Sequence, residues 1–492
     1  MNERVAAIMG GGVIGGGWAA RFLLNGWDVR VFDPDPEARR KIGEVLDNAR
    51  RSLPGLGDAP LPPEGRLSFH DTIADTAGGA AWIQESVPER LEVKHEVFAA
   101  LQAACGENAV IGSSTSGFKP SELQQGAVRP GQIVVAHPFN PVYLLPLVEL
   151  VGSAANSAAQ IERAAGLLTS LGMYPLHVKH EIEAHIADRL LEAVWREALW
   201  LVKDGIATTG EIDDAIRYGF GLRWAQMGLF ETYRIAGGEA GMKHFMAQFG
   251  PTLALPWCRL TDVPEFTGEL VDLIAGQSDA QSGARSIREL ERIRDANLVA
   301  MMRALKGQGW GAGALLDAHD ARLRAGTVLA ATLDDLGDLS RPIPTLARLV
   351  PLDWTDYNGH MTESRYLDAF AQATDRFMEL IGCDGAHIAS GGSYFTAETH
   401  IRHVGEAHAG ARIEIATEML LGQGRKLHLF HSMYEGDRLL ATGEHFLVHV
   451  SLQTRRPCAP SPRIETSMAR IARARAGLAL PDGAGSSIRA PG

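Results

Sequence analysis

Over its first third the chain alternates short apolar runs with glycine turns and amphipathic stretches. Val5–Met9 is an apolar run that stops at Gly10, Val13–Asn25 has helical periodicity, and Asp28–Phe32 reads as a second strand. Strand, glycine turn, helix, strand is a βαβ unit, which implies a parallel sheet with helices on its faces. The pattern predicts further strands at Ala81–Gln84, Val110–Ser113 and Ile133–Ala136, with Leu147–Val151 and Tyr174–Val178 extending the sheet. From about Ala184 the period changes: Ile186–Lys203 is a long amphipathic segment, and helical spacing recurs through Leu323. Asp334–Thr345 is polar and contains proline, as a linker would. Beyond it Tyr366–Ile381 predicts a helix, and Arg412–Leu420, Lys426–Tyr434 and His445–Ser451 alternate as antiparallel strands do. From about Thr466 the sequence is rich in Arg, Ala, Gly and Ser, which predicts a loosely ordered tail.

A chain of 492 residues is too long for one hydrophobic core, so this pattern describes several domains. Its formal charge of −12 argues against a nucleic-acid partner and against docking on an anionic membrane. Cys105, Cys258, Cys383 and Cys458 are scattered, with no metal-binding spacing, as expected of a reduced compartment without structural zinc. No apolar run reaches membrane-spanning length, and a strand begins too soon to leave room for a signal peptide. A cytoplasmic location is the expectation.

The first turn carries a recognisable chemistry. Gly10-Gly11-Gly12-Val13-Ile14-Gly15 fits the GxGxxG pattern between a strand and a helix, with Asp33 closing the next strand. Such a turn lets a pyrophosphate approach the helix N-terminus, whose free N–H groups and dipole favour anions. Gly10, Gly12, Val13, Ile14 and Gly15 would hold the dinucleotide, and Asp33 would accept hydrogen bonds from the adenosine ribose. A carboxylate there repels a 2′-phosphate, so NAD is expected rather than NADP.

Three later segments supply reacting groups. Ser113-Ser114-Thr115-Ser116 follows one strand, Ala136-His137-Pro138-Phe139-Asn140-Pro141 follows the next, and Glu149 lies in the apolar run Leu147-Val148-Glu149-Leu150. A carboxylate buried in a strand is costly unless paired, and a histidine is its natural partner. Oxidising a secondary alcohol needs a base for the hydroxyl proton, a role that suits histidine. At these residues the sequence resembles the 3-hydroxyacyl-CoA dehydrogenase superfamily over roughly residues 1–325. The resemblance implies that His137 is the catalytic base, Glu149 its orienting partner and Ser116 a hydrogen-bond partner of the reacting oxygen. It implies that Glu89, Lys94 and Asn140 line the cofactor. The family often has Asn before Arg-Leu early in its helical domain. Here Asp188 occupies that substrate-side position, and a carboxylate there suits a cation better than an anion.

The stretch Pro34–Arg66 is shorter and poorer in lysine than the CoA-handling insertion of acyl-CoA-specific members, so a small free 3-hydroxy acid is expected. Gly219–Ala225 and Ala236-Gly237-Gly238 resemble the carnitine dehydrogenases of the superfamily, with the gulonate-type enzymes next. That resemblance implies L-carnitine as substrate, with gulonate or a 3-hydroxyacyl-CoA as alternatives. A quaternary ammonium is held by aromatic faces and carboxylates. The helical region offers Trp195, Trp200, Trp224, Phe230, Glu231 and Tyr233, with Arg196 or Arg223 for the substrate carboxylate.

The C-terminal third carries Asp353-Trp354-Thr355-Asp356-Tyr357-Asn358-Gly359-His360-Met361 ahead of its helix. This order resembles hotdog-fold acyl-CoA thioesterases of the 4-hydroxybenzoyl-CoA type over about residues 345–465. The resemblance implies Asp356 as the catalytic carboxylate and a Gly359 N–H at the helix start for the thioester oxygen. His360, Glu398 and His400 are further site candidates, and Trp354, Tyr357 and Tyr394 candidates for a second ammonium cage. It also implies at least a homodimer, with the alternative that this domain serves only to dimerise. The expected architecture is α/β: a Rossmann domain (1–183), an α-helical domain (184–330), a linker (331–345), an α+β hotdog domain (346–465) and a flexible tail (466–492).

Overall fold

The structure is a computed structural model that describes residues 4–57, 59–236, 241–249, 257–258, 265, 267–282, 284–325, 329, 332–356, 358–485 and 487–488. The chain divides into two compact units. The first comprises residues 1–50 and 62–319, the second residues 51–61 and 320–492.

The first unit is built on eight strands: β1 (Val5–Met9), β2 (Asp28–Phe32), β3 (Leu67–Phe69), β4 (Trp82–Glu85), β5 (Val110–Ser113), β6 (Ile133–Pro138), β7 (Leu147–Val151) and β8 (Tyr174–Val178). Their order is β3-β2-β1-β4-β5-β6-β7-β8. Strands β1 to β6 run parallel, and β7 turns antiparallel to β6. All five residues of β1 are buried, which is why the strand reads as continuous apolar sequence rather than as an alternation. One face packs Ala7, Met9, Ile83, Ile111 and Val135 against Phe98 and Leu101 of the helix Leu91–Ala104. Near the other end of the strands, Trp18, Phe22, Trp27 and Trp82 form an aromatic cluster with ring centroids 5.2–6.3 Å apart.

Arg21 is buried within this unit, its guanidinium donating to the carbonyls of Leu171, Tyr143 and Gly172. Burial lowers its pKa to about 10, and the three carbonyl partners are what make a buried guanidinium tolerable. Helices follow the sheet, among them Ala187–Lys203 and Ile287–Lys306. The latter is tied back by Tyr143, which donates to Asp295 at 2.7 Å.

The second unit is an antiparallel sheet of β9 (Ile343–Leu349), β10 (Gly392–His403), β11 (Arg412–Gln423), β12 (Lys426–Glu435) and β13 (Arg438–Ser451), in the order β10-β13-β12-β11-β9. The helix Glu363–Ile381 packs on it through Tyr366, Phe370, Ala373, Phe377 and Ile381, whose spacing puts them on one helical face. Below that helix lies a chain of buried polar groups. Thr345 meets Thr417 at 2.6 Å, Thr417 meets His431 Nδ1 at 2.8 Å, and His431 Nε2 meets Thr374 at 3.0 Å.

Two expectations are corrected in this unit. The expected linker 331–345 already contains the buried Leu333 and the start of β9, with Ile343 in the core. The expected loose tail begins inside the helix Pro462–Ala474, which buries Ile464, Met468 and Ile471 against the sheet. The four-then-three spacing of those residues is a helical signal that the Arg- and Ala-rich composition concealed.

Candidate active site

The glycine turn lies where β1 meets the helix Val13–Leu24. Gly10 adopts φ 93°, and a side chain there would meet the Ser86 carbonyl at 2.5 Å. At Gly15 an added Cβ would lie 1.8 Å from the Gly10 carbonyl, so helix and turn can only close on glycine. Gly12 faces open space and caps the helix without a side-chain partner, leaving the first N–H groups of that helix for a ligand. Val13 is exposed on the first helical turn and Ile14 is half-buried. Asp33 accepts from the N–H of Gly11 and from the N–H of Asp35 at 2.7 Å, which fixes its carboxylate at the end of β2. Gly10, Gly11, Gly12, Asp33 and Asp35 line a cleft of about 500 Å3 together with Ser86, Val87, Pro88 and Val93. Lys41 also lines it, held by Asp35 at 2.5 Å. Open glycine backbone, free helix N–H groups and a positioned carboxylate fit a dinucleotide.

The second feature depends on the reversal of strand direction at β7. Antiparallel pairing puts His137 of β6 directly opposite Glu149 of β7. His137 Nδ1 lies 3.0 Å from Glu149 Oε2, both groups buried. The other oxygen, Oε1, accepts the N–H of Ile186 and of Ala187, each at 2.8 Å, at the start of the helix Ala187–Lys203. Burial pushes the Glu149 carboxyl up, while the bond from His137 and the two N–H groups pull it down. The sum lies below the ordinary carboxylate value. The chain reaches this arrangement through Ala184 and His185, both left-handed at φ 57° and 51°. His185 is fully buried, with Nε2 3.3 Å from the Thr115 carbonyl and its ring 5.7 Å from that of His137. Burial first, and the nearby His137, lower its pKa. Asp188 follows on the same helix, with Oδ2 3.9 Å from His137 Nε2.

Lys94 is buried and joins two carboxylates, Glu85 at 2.8 Å and Glu89 at 3.1 Å. Glu85 also accepts from Ser113, and Glu89 accepts from Thr115. Burial raises the Glu89 carboxyl, but Thr115, Lys94 and the Gly117 N–H together hold it below the usual value. The serine-rich loop is thereby bound to Glu85 and Glu89 through Ser113 and Thr115, while Ser116 stands exposed beside them. Asn140 is exposed just beyond β6. The sequence reading missed Glu85, whose signal is an acidic residue ending a buried strand, and His185.

Three of the aromatics expected on the substrate side already have packing partners. Lys203 already lies over the Trp200 ring at 4.3 Å, Trp224 packs on Phe220 at 4.5 Å, and Tyr233 stacks on Phe245 at 4.6 Å. Trp195, Phe230, Arg223 and Glu231 are exposed, and Arg196 pairs with Glu192 at 3.7 Å. Gly237 and Gly238 lie outside the described residues.

In the second unit Asp356 organises its own loop. Its Oδ1 accepts from the N–H of Asn358 at 2.8 Å and of His360 at 3.2 Å, and the residue is exposed. Gly359 is not at the helix start: its N–H donates to the Asp356 carbonyl, and the helix begins at Glu363. His360 lies 3.5 Å from Glu406, and His400 lies 3.2 Å from Ser487. Glu398 is exposed on β10. The second cage is corrected as well. Trp354 is buried with Arg348 3.7 Å over its ring, and Tyr394 is buried with its hydroxyl on Met468, so neither offers a free face. Tyr357 lies outside the described residues.

Residues 5–182 match the model of the 3-hydroxyacyl-CoA dehydrogenase NAD binding domain, and residues 185–263 that of the 3-hydroxyacyl-CoA dehydrogenase C-terminal domain. Residues 350–467 match the thioesterase-like superfamily. The chain is 75% identical over 488 residues to the L-carnitine dehydrogenase/betainyl-CoA thioesterase of Ruegeria pomeroyi, covering 99% of each. It is 55% identical to the protein of that name from Agrobacterium fabrum, over 99% of this chain and 98% of the relative. An L-carnitine dehydrogenase of Pseudomonas putida is 53% identical over 61% of this chain and 93% of its own. Among solved structures, an NAD+-dependent FHMPC 5-dehydrogenase superposes with a TM-score of 0.52 at 25% identity, over 62% of this chain and 99% of its own.

Proposed function

The chain belongs to the family of L-carnitine dehydrogenase/betainyl-CoA thioesterases, and on that premise we propose how each of its two halves performs its reaction. The N-terminal half oxidises L-carnitine to 3-dehydrocarnitine with NAD, and the C-terminal half hydrolyses betainyl-CoA to betaine.

The observation that carries the first assignment is the His137–Glu149 pair across β6 and β7. With Glu149 accepting at Nδ1, the imidazole proton stays on that nitrogen and Nε2 keeps its lone pair for the substrate hydroxyl. As the proton arrives at Nε2, the ring becomes a cation already matched by a carboxylate at 3.0 Å. Ser116 positions the reacting oxygen from the neighbouring loop. Gly10, Gly12, Val13, Ile14, Gly15 and Asp33 hold the NAD, with Glu89, Lys94 and Asn140 on its nicotinamide side. Bound NAD supplies the hydride acceptor.

In the second half Asp356 acts on the thioester, as nucleophile or as base for water. Its loop is held by the two N–H groups that its own carboxylate accepts. The molecule works as a homodimer. Support for this is the 12-residue β10, which stands at the edge of its sheet and is largely exposed, and the exposed Leu190, Leu191, Trp195 and Leu222 of the first unit.

The test is NADH formation at alkaline pH from L-carnitine, gulonate and 3-hydroxybutyryl-CoA side by side, together with thiol release from betainyl-CoA. Selective turnover of L-carnitine and release of CoA are expected. Turnover of another hydroxy acid alone would leave a dehydrogenase but discard the carnitine assignment. Asp356→Asn can still accept both loop N–H bonds, so it separates the two roles of that residue. Loss of hydrolysis with unchanged stability is expected, and unchanged hydrolysis would remove Asp356 from the chemistry.

A further inference from the structure

The geometry points to Asp188, rather than an aromatic cage, as the group that recognises the positive charge of the substrate. This rests on the assignment of L-carnitine given above. Asp188 Oδ2 is 3.9 Å from His137 Nε2, the nitrogen that meets the substrate hydroxyl, and its side chain is 18% exposed. In carnitine a single methylene separates the hydroxyl-bearing carbon from the quaternary nitrogen. A hydroxyl seated on Nε2 therefore carries that cation close to whatever flanks Nε2.

The placement of Asp188 is built rather than incidental. Glu149 holds His137 with one oxygen and the N–H groups of Ile186 and Ala187 with the other. The base and the first turn carrying Asp188 are thus fixed by the same side chain. The surrounding carboxylates are already matched: Glu89 by Lys94, Glu183 by Lys119 at 2.7 Å, and Glu192 by Arg196. Among the described residues Asp188 makes no ion pair with a lysine or arginine, and its ionic contact is His137 Nε2. A quaternary ammonium accepts and donates no hydrogen bonds, so an unmatched carboxylate at contact range in a half-enclosed site can select it by charge. Of the aromatic rings that could share that task, Trp200, Trp224 and Tyr233 already pack against Lys203, Phe220 and Phe245, and Trp195 and Phe230 are exposed.

The experiment compares L-carnitine with its uncharged carbon isostere, 3-hydroxy-5,5-dimethylhexanoate, in the full-length wild-type protein and in Asp188→Asn and Asp188→Glu. The readout is the ratio of kcat/KM for the two substrates. Asp188→Asn should lower that ratio by about 10²-fold, as expected for loss of one short-range charge pair. Asp188→Glu should restore part of it. In the wild-type protein, raising ionic strength should raise KM for carnitine more than for the isostere. A ratio within about 3-fold of wild type in Asp188→Asn overturns the inference, whether both activities fall together or neither does. If Asp188→Asn does not fold, an equal salt response for the two substrates overturns it. Absence of carnitine oxidation in the wild-type protein strikes the functional assignment instead.

Discussion

Glu149 and His137 face each other across the one antiparallel step in the eight-stranded sheet, Oε2 to Nδ1 at 3.0 Å, and the second oxygen of the same carboxylate holds the start of the helix Ala187–Lys203. A side chain engaged in this way orients the proposed base and holds the first turn of that helix at once. Glu149→Gln should therefore lower kcat for carnitine oxidation by about 10²–10⁴-fold. Because the two residues act as a unit, the double variant with His137→Asn should be little worse than His137→Asn alone. Additive losses in steady-state NADH formation would show that they act independently.

The glycine turn separates folding from cofactor binding. A Cβ at Gly12 meets nothing within 4 Å, whereas one at Gly15 meets the Gly10 carbonyl at 1.8 Å. Gly12→Ala should keep the melting temperature of the wild type yet weaken NAD binding at least 10-fold, since the methyl group enters the path of the pyrophosphate. Gly15→Ala should lose both. Calorimetric titration with NAD beside thermal unfolding checks this, and unimpaired NAD binding in Gly12→Ala would place the cofactor elsewhere.

Much of this was legible in the sequence, for a physical reason. Buried parallel strands read as unbroken apolar runs, the glycine turn, Asp33 and His137 stand at or near their ends, and Glu149 is the one charge inside its run, so pattern and chemistry coincide. The edges of the second sheet did not announce themselves. β10 carries Thr396, Glu398, Thr399 and His400 on a largely exposed strand, and β9 starts inside a polar stretch beside Pro344. In β10 little burial leaves little alternation to detect, whereas β9 is largely buried but fills its inward positions partly with Thr345 and Arg348. The surroundings of the candidate substrate-side aromatics were hidden for the opposite reason. Helical spacing gives each ring a face, but tertiary neighbours such as Phe220 and Phe245 decide what covers it.

The helix Pro462–Ala474 is part of the core of the second unit, not an appendage. Met468 is 1% exposed and touches the Tyr394 hydroxyl. Met468→Ala should cost about 2–4 kcal/mol of stability in that unit, in the range for a buried methionine truncation. Denaturant unfolding followed in the C-terminal unit checks this, and a change within about 0.5 kcal/mol would restore the picture of a loose tail.

Buried neutral histidines give the second unit an acid limit. His431 is fully buried and its pKa lies well below the ordinary histidine value, while burial lowers His445 to about 4. Below the unfolded value of about 6.5 the unfolded chain binds protons that the folded unit refuses, so stability rises with pH across this window and is lost as pH falls from about 6.5 toward 4. Each histidine contributes up to about 1.4 kcal/mol per pH unit there. His445→Phe should lower proton uptake on unfolding at pH 5 by about one. An unchanged pH slope would assign the acid sensitivity to other groups.

The most direct test of the account is kcat for L-carnitine in His137→Asn, measured alongside NAD affinity. The account predicts a loss of at least about 10³-fold in kcat with NAD binding within about 2-fold of wild type, because the histidine moves the proton and does not hold the cofactor. Carnitine oxidation within about 10-fold of wild type would mean that another group takes the hydroxyl proton, and would contradict the dyad as the centre of the reaction.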